Sequence, residues 1–227
     1  MDDMDKKIVV KDVLAKSFDV YKNHLTVFLG LSLGCGIVNE MISLLFRSLS
    51  MQSFSVSFFI NILMTSWITI AIVNAVDWER RNKKLAINRL LLSAKGSYWQ
   101  FVTVTMTTIF AFALGLILFI VPGFYIATIF IFADILVVLE KRDFNQAFKQ
   151  SMEMTKPHFW QVFQCLFFIM IVSSVPSFLL RLSDGNPTQL MITLSKVLAV
   201  VIMPYFVIAQ VILYFSVKNI NLPERAV

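Results

Sequence analysis

Six long apolar runs constrain this chain more than anything else in it: residues 25–46, 54–76, 99–121, 124–139, 159–180 and 190–217. A helix advances about 1.5 Å per residue, so a hydrocarbon layer of about 30 Å takes about 20 apolar residues to cross. Inside that layer no water is present to satisfy backbone amides and carbonyls, and only helices or closed barrels span it. The runs lack the alternation of barrel strands, so all six are expected to be helical. The fold class that follows is all-α: a polytopic membrane protein with six transmembrane helices in a single transmembrane domain over residues 1–227. The fourth run is short, and Pro122-Gly123 before it is expected to be a bare turn. Pro176 falls near the end of the fifth run. The sixth has length to spare for tilt, with Pro204 as its expected kink.

Composition argues the same way. The chain is 58% hydrophobic and only 15% charged, with mean hydropathy +0.76, whereas soluble domains are about a quarter charged. Cys35 and Cys165 both lie within apolar runs and read as small buried hydrophobes. Charged, polar residues occupy the start, and no cleavage site of A-x-A type follows an early apolar region. No cleavable signal is therefore expected, and the first span directs insertion.

The basic residues decide orientation. Seventeen of the 20 lie in the N-terminal segment, the loops around 78–98 and 140–158, and the tail, against Arg47 and Arg181 on the other side. Basic loops stay in the cytoplasm, so both termini are expected to be cytoplasmic, with 47–53 and 181–188 external.

Three segments at the basic side resemble one another. Each holds a short helix with a narrow apolar stripe, closed by Lys22, Lys95 or Lys156, and each leads into a span. The stripes are Val10, Val13, Leu14, Ser17, Phe18 and Tyr21; Ile87, Leu90, Leu91 and Ala94; and Phe144, Ala147, Phe148, Ser151 and Met152. Such spacing marks one face of a helix. Asn82 is expected to cap the second helix, and Asp143 with Gln146 to form a capping box on the third. A lysine closing such a helix suits both the helix dipole and anionic headgroups. The reading is three repeats of amphipathic helix plus helical hairpin, about 8–77, 78–140 and 141–217.

Val121-Pro122-Gly123-Phe124-Tyr125, Glu140 closing the span, Ala147, Ser151, Lys156 and Trp160 together resemble the glycerophosphoryl diester phosphodiesterase membrane domain family and the related YciC-like bacterial integral membrane proteins. The resemblance is best over residues 120–170 and weaker over the first 77. It implies a six-helix protein of the bacterial cytoplasmic (inner) membrane. The soluble phosphodiesterase domain that some members carry has no counterpart before Val227, so no active site comes with the resemblance.

Chemistry-bearing residues are few. Glu40, Asp134 and Lys196 lie inside spans, where a charge at mid-bilayer costs about 2.5–3.5 kcal/mol and must be paired or face a cavity. By depth, Glu40 and Lys196 are expected to form a buried pair. Asn39, Asn61 and Asn74 are their neutral company. His24, Trp99, His158 and Trp160 sit where the short helices turn into spans and read as interfacial side chains. Two histidines do not make a zinc site, and neither metal nor cofactor is expected. Gly30-x-x-x-Gly34, with Ser32 and Gly36, reads as a small-residue strip for close helix packing. Lys83, Lys84, Lys95, Lys149 and Lys156 form a basic surface on the cytoplasmic side. The leading expectation is a non-enzymatic membrane protein acting in envelope or membrane homeostasis, with membrane lipids or a membrane-protein or peptide partner bound, and no nucleic acid. An immunity-type protein against a membrane-active peptide and a small transporter or permease component stand beside it.

Overall fold

The computed structural model describes residues 9–48, 54–181 and 188–221. Most of the two expected external loops, 49–53 and 182–187, and the chain ends lie outside the described residues. The described chain runs α1 (Val10–Asn23), α2 (Leu25–Ser48), α3 (Phe54–Arg80), α4 (Ile87–Ser93), α5 (Tyr98–Leu118), α6 (Ile120–Ile129), α7 (Ala133–Leu139), α8 (Phe144–Thr155), α9 (Phe159–Arg181) and α10 (Gln189–Asn221). Short 3-10 turns, Ala94–Gly96 and Lys156–His158, join α4 to α5 and α8 to α9. Six of these helical stretches are long and apolar enough to cross a bilayer. The protein is an all-α, multi-pass membrane protein.

Several local expectations change. The second hairpin turns at Phe119, whose backbone is extended, and not at Pro122-Gly123, which opens α6. Proline is tolerated there because the first-turn amides of a helix have no intrahelical partner. Gly123 serves packing instead: a Cβ on Gly115 would stand 2.7 Å from the Gly123 Cα. The fourth span is not continuous, because the helix unwinds over 130–132 between α6 and α7. Asn82 does not cap α4, whose N-cap is Ala86. It takes a left-handed conformation, φ 53°, after α3. Asp143 does occupy the N-cap of α8, but its side chain makes no capping bond. The glycine strip is likewise not a packing seam. Gly34 faces open space and Gly30 has ordinary room, while only Gly36, 3.1 Å from Val200 at its virtual Cβ, is tightly packed.

The helices pack in a cycle. α1 lies on α10, α4 on α3, and α8 on α7. The outgoing helices follow the same order, with α2 against α10, α5 against α3, and α9 against α6. Two regions result. The later parts of α3, α7 and α10 are almost wholly buried, from Ile70 to Val76, Ile131 to Val138 and Val207 to Val217, with Phe132, Leu136, Ile208 and Tyr214 fully enclosed. The short helices α1, α4 and α8 supply the outer layer of this core through Val13, Leu90 and Ala147. The other region is a loosely joined set of helices with large apolar side chains on its surface. On α3, α6 and α10 these include Phe59, Met64, Tyr125, Leu190, Leu194, Val197 and Val201, none of them in the enclosed stretches. Apolar surface of that extent needs a bilayer to cover it.

Candidate functional site

Three polar features interrupt the apolar bundle. The first is a groove of about 760 Å³ between α2 and α10, floored by Thr65 of α3, a volume within the range of ligand pockets. Leu29, Leu33, Ile37, Val197 and Val200 line it. Glu40 and Lys196 also line it, and Lys196 Nζ donates to both carboxylate oxygens at 2.9 Å. The structure thus brings these two residues together, but not as a buried pair: their side chains are 50% and 56% exposed. The reason is register. Lys196 and Val197 stand on a face of α10 away from its core-facing residues, and Glu40 is an exposed residue near the end of α2.

The second feature is the unwound turn between α6 and α7. Breaking a helix inside an apolar bundle frees backbone groups, each costly if left unbonded. Two side chains take them up. Ser151 Oγ on α8 donates to the Ile129 carbonyl at 2.8 Å and accepts from the Phe132 amide at 3.2 Å. Gln210 Nε2 on α10 donates to the Ile131 carbonyl at 2.6 Å and approaches Asp134 Oδ1 at 3.3 Å. Asp134 also accepts from the Ile135 amide at 2.8 Å. Its partner is therefore an amide, and neither Glu40 nor Lys196 reaches it. Near Pro204, which leaves the Val200 carbonyl of α10 without its usual amide donor, α1 and α10 exchange two hydrogen bonds. Tyr21 of α1 donates to the nearby Val201 carbonyl at 3.1 Å, and Tyr205 donates back to the Leu14 carbonyl at 3.3 Å. In the middle of the cycle, Asn74 of α3 donates to Ser93 of α4 at 2.9 Å.

The third feature is a network at the end of α7. Glu140 Oε1 accepts from Tyr214 and, at 2.7 Å, from Lys218, both on α10. Its Oε2 accepts from Gln150 of α8 at 2.9 Å and, more weakly, from Arg142 at 3.4 Å. Burial alone would raise this carboxyl, but the bonds from Lys218, Tyr214 and Gln150 outweigh it and hold the group down at about 2. The adjoining Lys141 takes a left-handed conformation, φ 54°, and donates to Ser97 at 2.5 Å. Partial burial pushes its ammonium down.

The remaining residues singled out from sequence stay apart from these centres. Lys83, Lys84, Lys95, Lys149 and Lys156 are all exposed, and Lys149 stands on a cleft of about 450 Å³ with Arg142, Gln146, Glu153 and Lys218. Trp99 and Trp160 are 72% and 69% exposed. His24 Nε2 lies 3.4 Å from Glu79 Oε1, and His158 ends its 3-10 turn half-buried. Asn39 lines the groove. Sequence reasoning missed the functions of Ser151, Gln210, Tyr214 and Glu140. Gln210 carried a signal, as the lone amide in the apolar run 197–217.

Comparison with protein-family models, curated proteins and solved structures finds no match to this chain. The family resemblance therefore rests on the residues from Val121 to Trp160 alone.

Proposed function

We propose that this is a non-enzymatic integral membrane protein of the bacterial cytoplasmic membrane, which serves envelope or membrane homeostasis by binding anionic lipid on a basic collar. The observation that carries the reading is the two-sided build of α1, α4 and α8. Each commits one face to the core, through Val13, Ser17 and Tyr21, through Leu90, and through Ala147, Ser151 and Met154. α1 and α8 leave lysines on the other face exposed, among them Lys16, Lys22 and Lys149, while α4 leaves Arg89 exposed and is flanked by exposed Lys83, Lys84 and Lys95. A fixed scaffold presenting lysines at a membrane surface gains about 1 kcal/mol per charge from anionic lipid. The excess of basic residues on this side supports a collar and termini on the cytoplasmic face.

In this reading each collar helix and the hairpin after it form one of three amphipathic repeats. The cyclic packing supports that division. Each short helix and each outgoing helix rests on the returning helix of the unit before it, and α1 with α2 closes the ring on α10. Changing Lys83, Lys84, Lys149 and Lys156 together to Glu tests the surface. Insertion stays intact, because Arg80, Arg81, Arg89, Lys95, Lys141 and Arg142 remain. Binding to vesicles containing phosphatidylglycerol weakens; unchanged binding would mean that these lysines serve topology alone.

One observation favours a second reading, a small transporter or permease component. Transporters place binding sites where a membrane helix is broken, and Asp134 with Gln210 stands beside such a break. Proton flux into liposomes that is lost in Asp134→Asn would replace the first reading with this one.

A further inference from the structure

The groove between α2 and α10 is separate from the basic collar, and its chemistry is more specific. It is about 17 Å long, taking the rise of 1.5 Å per residue between Leu29 and Glu40. That is about half of a 30 Å hydrocarbon layer, the depth of one leaflet. Its rims, Leu33, Ile37, Val197 and Val201, are exposed, so the groove opens sideways at the apolar surface and is not sealed within the bundle. One end holds a salt bridge and the rest of the wall is mostly apolar. Glu40 stands eight residues before the end of α2, and Lys196 seven residues after the start of α10. Both charges thus lie toward the ends of the helices remote from the collar.

An ion pair half exposed on a membrane-spanning surface is a poor stabiliser by itself. Charges within a span are costly unless polar groups cover them, and among the described residues only Glu40 and Lys196 themselves satisfy each other. The covering group must offer an acceptor to the ammonium, a donor to the carboxylate and an apolar chain to the groove. One common molecule meets all three demands. We propose that the groove binds a glycerophospholipid with a zwitterionic, primary-amine headgroup. Its phosphate would share Lys196, its ammonium would share Glu40, and one acyl chain would lie between α2 and α10.

The experiment is native mass spectrometry of the whole protein released from nanodiscs made of equal parts phosphatidylethanolamine, phosphatidylcholine and phosphatidylglycerol. The wild type should retain a single phosphatidylethanolamine, about tenfold in excess over either competitor. The double variant Glu40→Gln, Lys196→Met should still retain lipid but lose the headgroup preference. Ala199→Phe, at a groove-lining exposed position, should lose the retained lipid while melting in detergent as the wild type does. The swap Glu40→Lys with Lys196→Glu restores the pair and should restore the preference. Equal retention of all three lipids by the wild type, or retention surviving Ala199→Phe, would overturn the proposal. A preference for phosphatidylglycerol would overturn it in favour of simple attraction to basic residues. Charge reversal on the collar should leave the groove lipid in place, so failure of the collar reading and failure of this one give different results.

Discussion

Two glutamates meet lysines of the same helix, and they stand in opposite surroundings. Glu140 is 15% exposed and gathers Lys218, Tyr214, Gln150 and Arg142 around its two oxygens. Glu40 is 50% exposed and has Lys196 alone. The first carboxylate ties α7, α8 and α10 together at the edge of the enclosed core; the second sits in an open groove and ties little. A salt bridge by itself is thus no guide to its purpose. Desolvation makes the lone half of a buried pair very unfavourable, whereas an exposed pair can be broken at small cost. The enclosed region is therefore read as structure, and the open one as a place for a ligand.

That contrast fixes an order of mutational effects, all measured as unfolding in detergent. Glu140→Ala strands Lys218 and unbonds Tyr214, and should lose about 3–5 kcal/mol. Leu136→Ala, at a fully buried position, should cost about 2–5 kcal/mol, while Phe168→Ala on the exposed face of α9 should cost clearly less. Equal losses at the two positions would erase the distinction between the regions. Ser151→Ala unbonds the Ile129 carbonyl and the Phe132 amide and should cost about 1–3 kcal/mol. Ser173→Ala, an exposed serine bonded only within its own helix, should stay within about 0.5 kcal/mol of the wild type.

Acid sharpens the same comparison. The Glu140 carboxyl is held down at about 2 from an ordinary value of 4.5. A group depressed on folding stabilises fully above its unfolded value and loses that contribution as pH falls through its folded value. Stability should therefore drop between about pH 4.5 and pH 2, and Glu140→Gln should flatten that part of the profile. A profile as steep as the wild type's in that variant would mean that other carboxylates govern acid unfolding. Among the charged residues the smallest effect belongs to the groove: Glu40→Ala or Lys196→Ala should cost under about 1 kcal/mol in detergent, where no bilayer penalises the unpaired charge.

Much of this architecture was legible in the residues, for a physical reason. Six apolar runs and the one-sided distribution of lysines are averages over many side chains, and averages survive local surprises. The stripes Val13–Ser17–Tyr21 and Ala147–Ser151 marked the buried faces of α1 and α8 because helical spacing alone determines which residues share a side. Pairing of Glu40 with Lys196 followed from depth. What stayed hidden depended on a single turn or on distant contacts. Pro122-Gly123 is good turn chemistry and equally good helix-start chemistry, and only the Gly115–Gly123 approach decides between them. The break at 130–132 carries no proline or glycine; it persists because Ser151 and Gln210, 22 and 79 residues from the carbonyls they bond, satisfy the freed backbone. The exposure of the Glu40 pair depends on which way α2 and α10 rotate, and spacing along one helix does not reveal that.

The most direct test of the two-region account is site-directed spin labelling in liposomes, after replacing Cys35 and Cys165 with alanine. Nitroxides placed singly at Leu33, Phe168 and Val197 should collide mainly with dissolved oxygen, which concentrates in lipid. Nitroxides at Lys84 and Lys149 should collide mainly with a water-soluble nickel chelate. Oxygen-dominated relaxation at Lys84 and Lys149, or nickel-dominated relaxation at Leu33, Phe168 and Val197, would contradict the division of this protein into a lipid-facing half and a self-packed core with a water-facing collar.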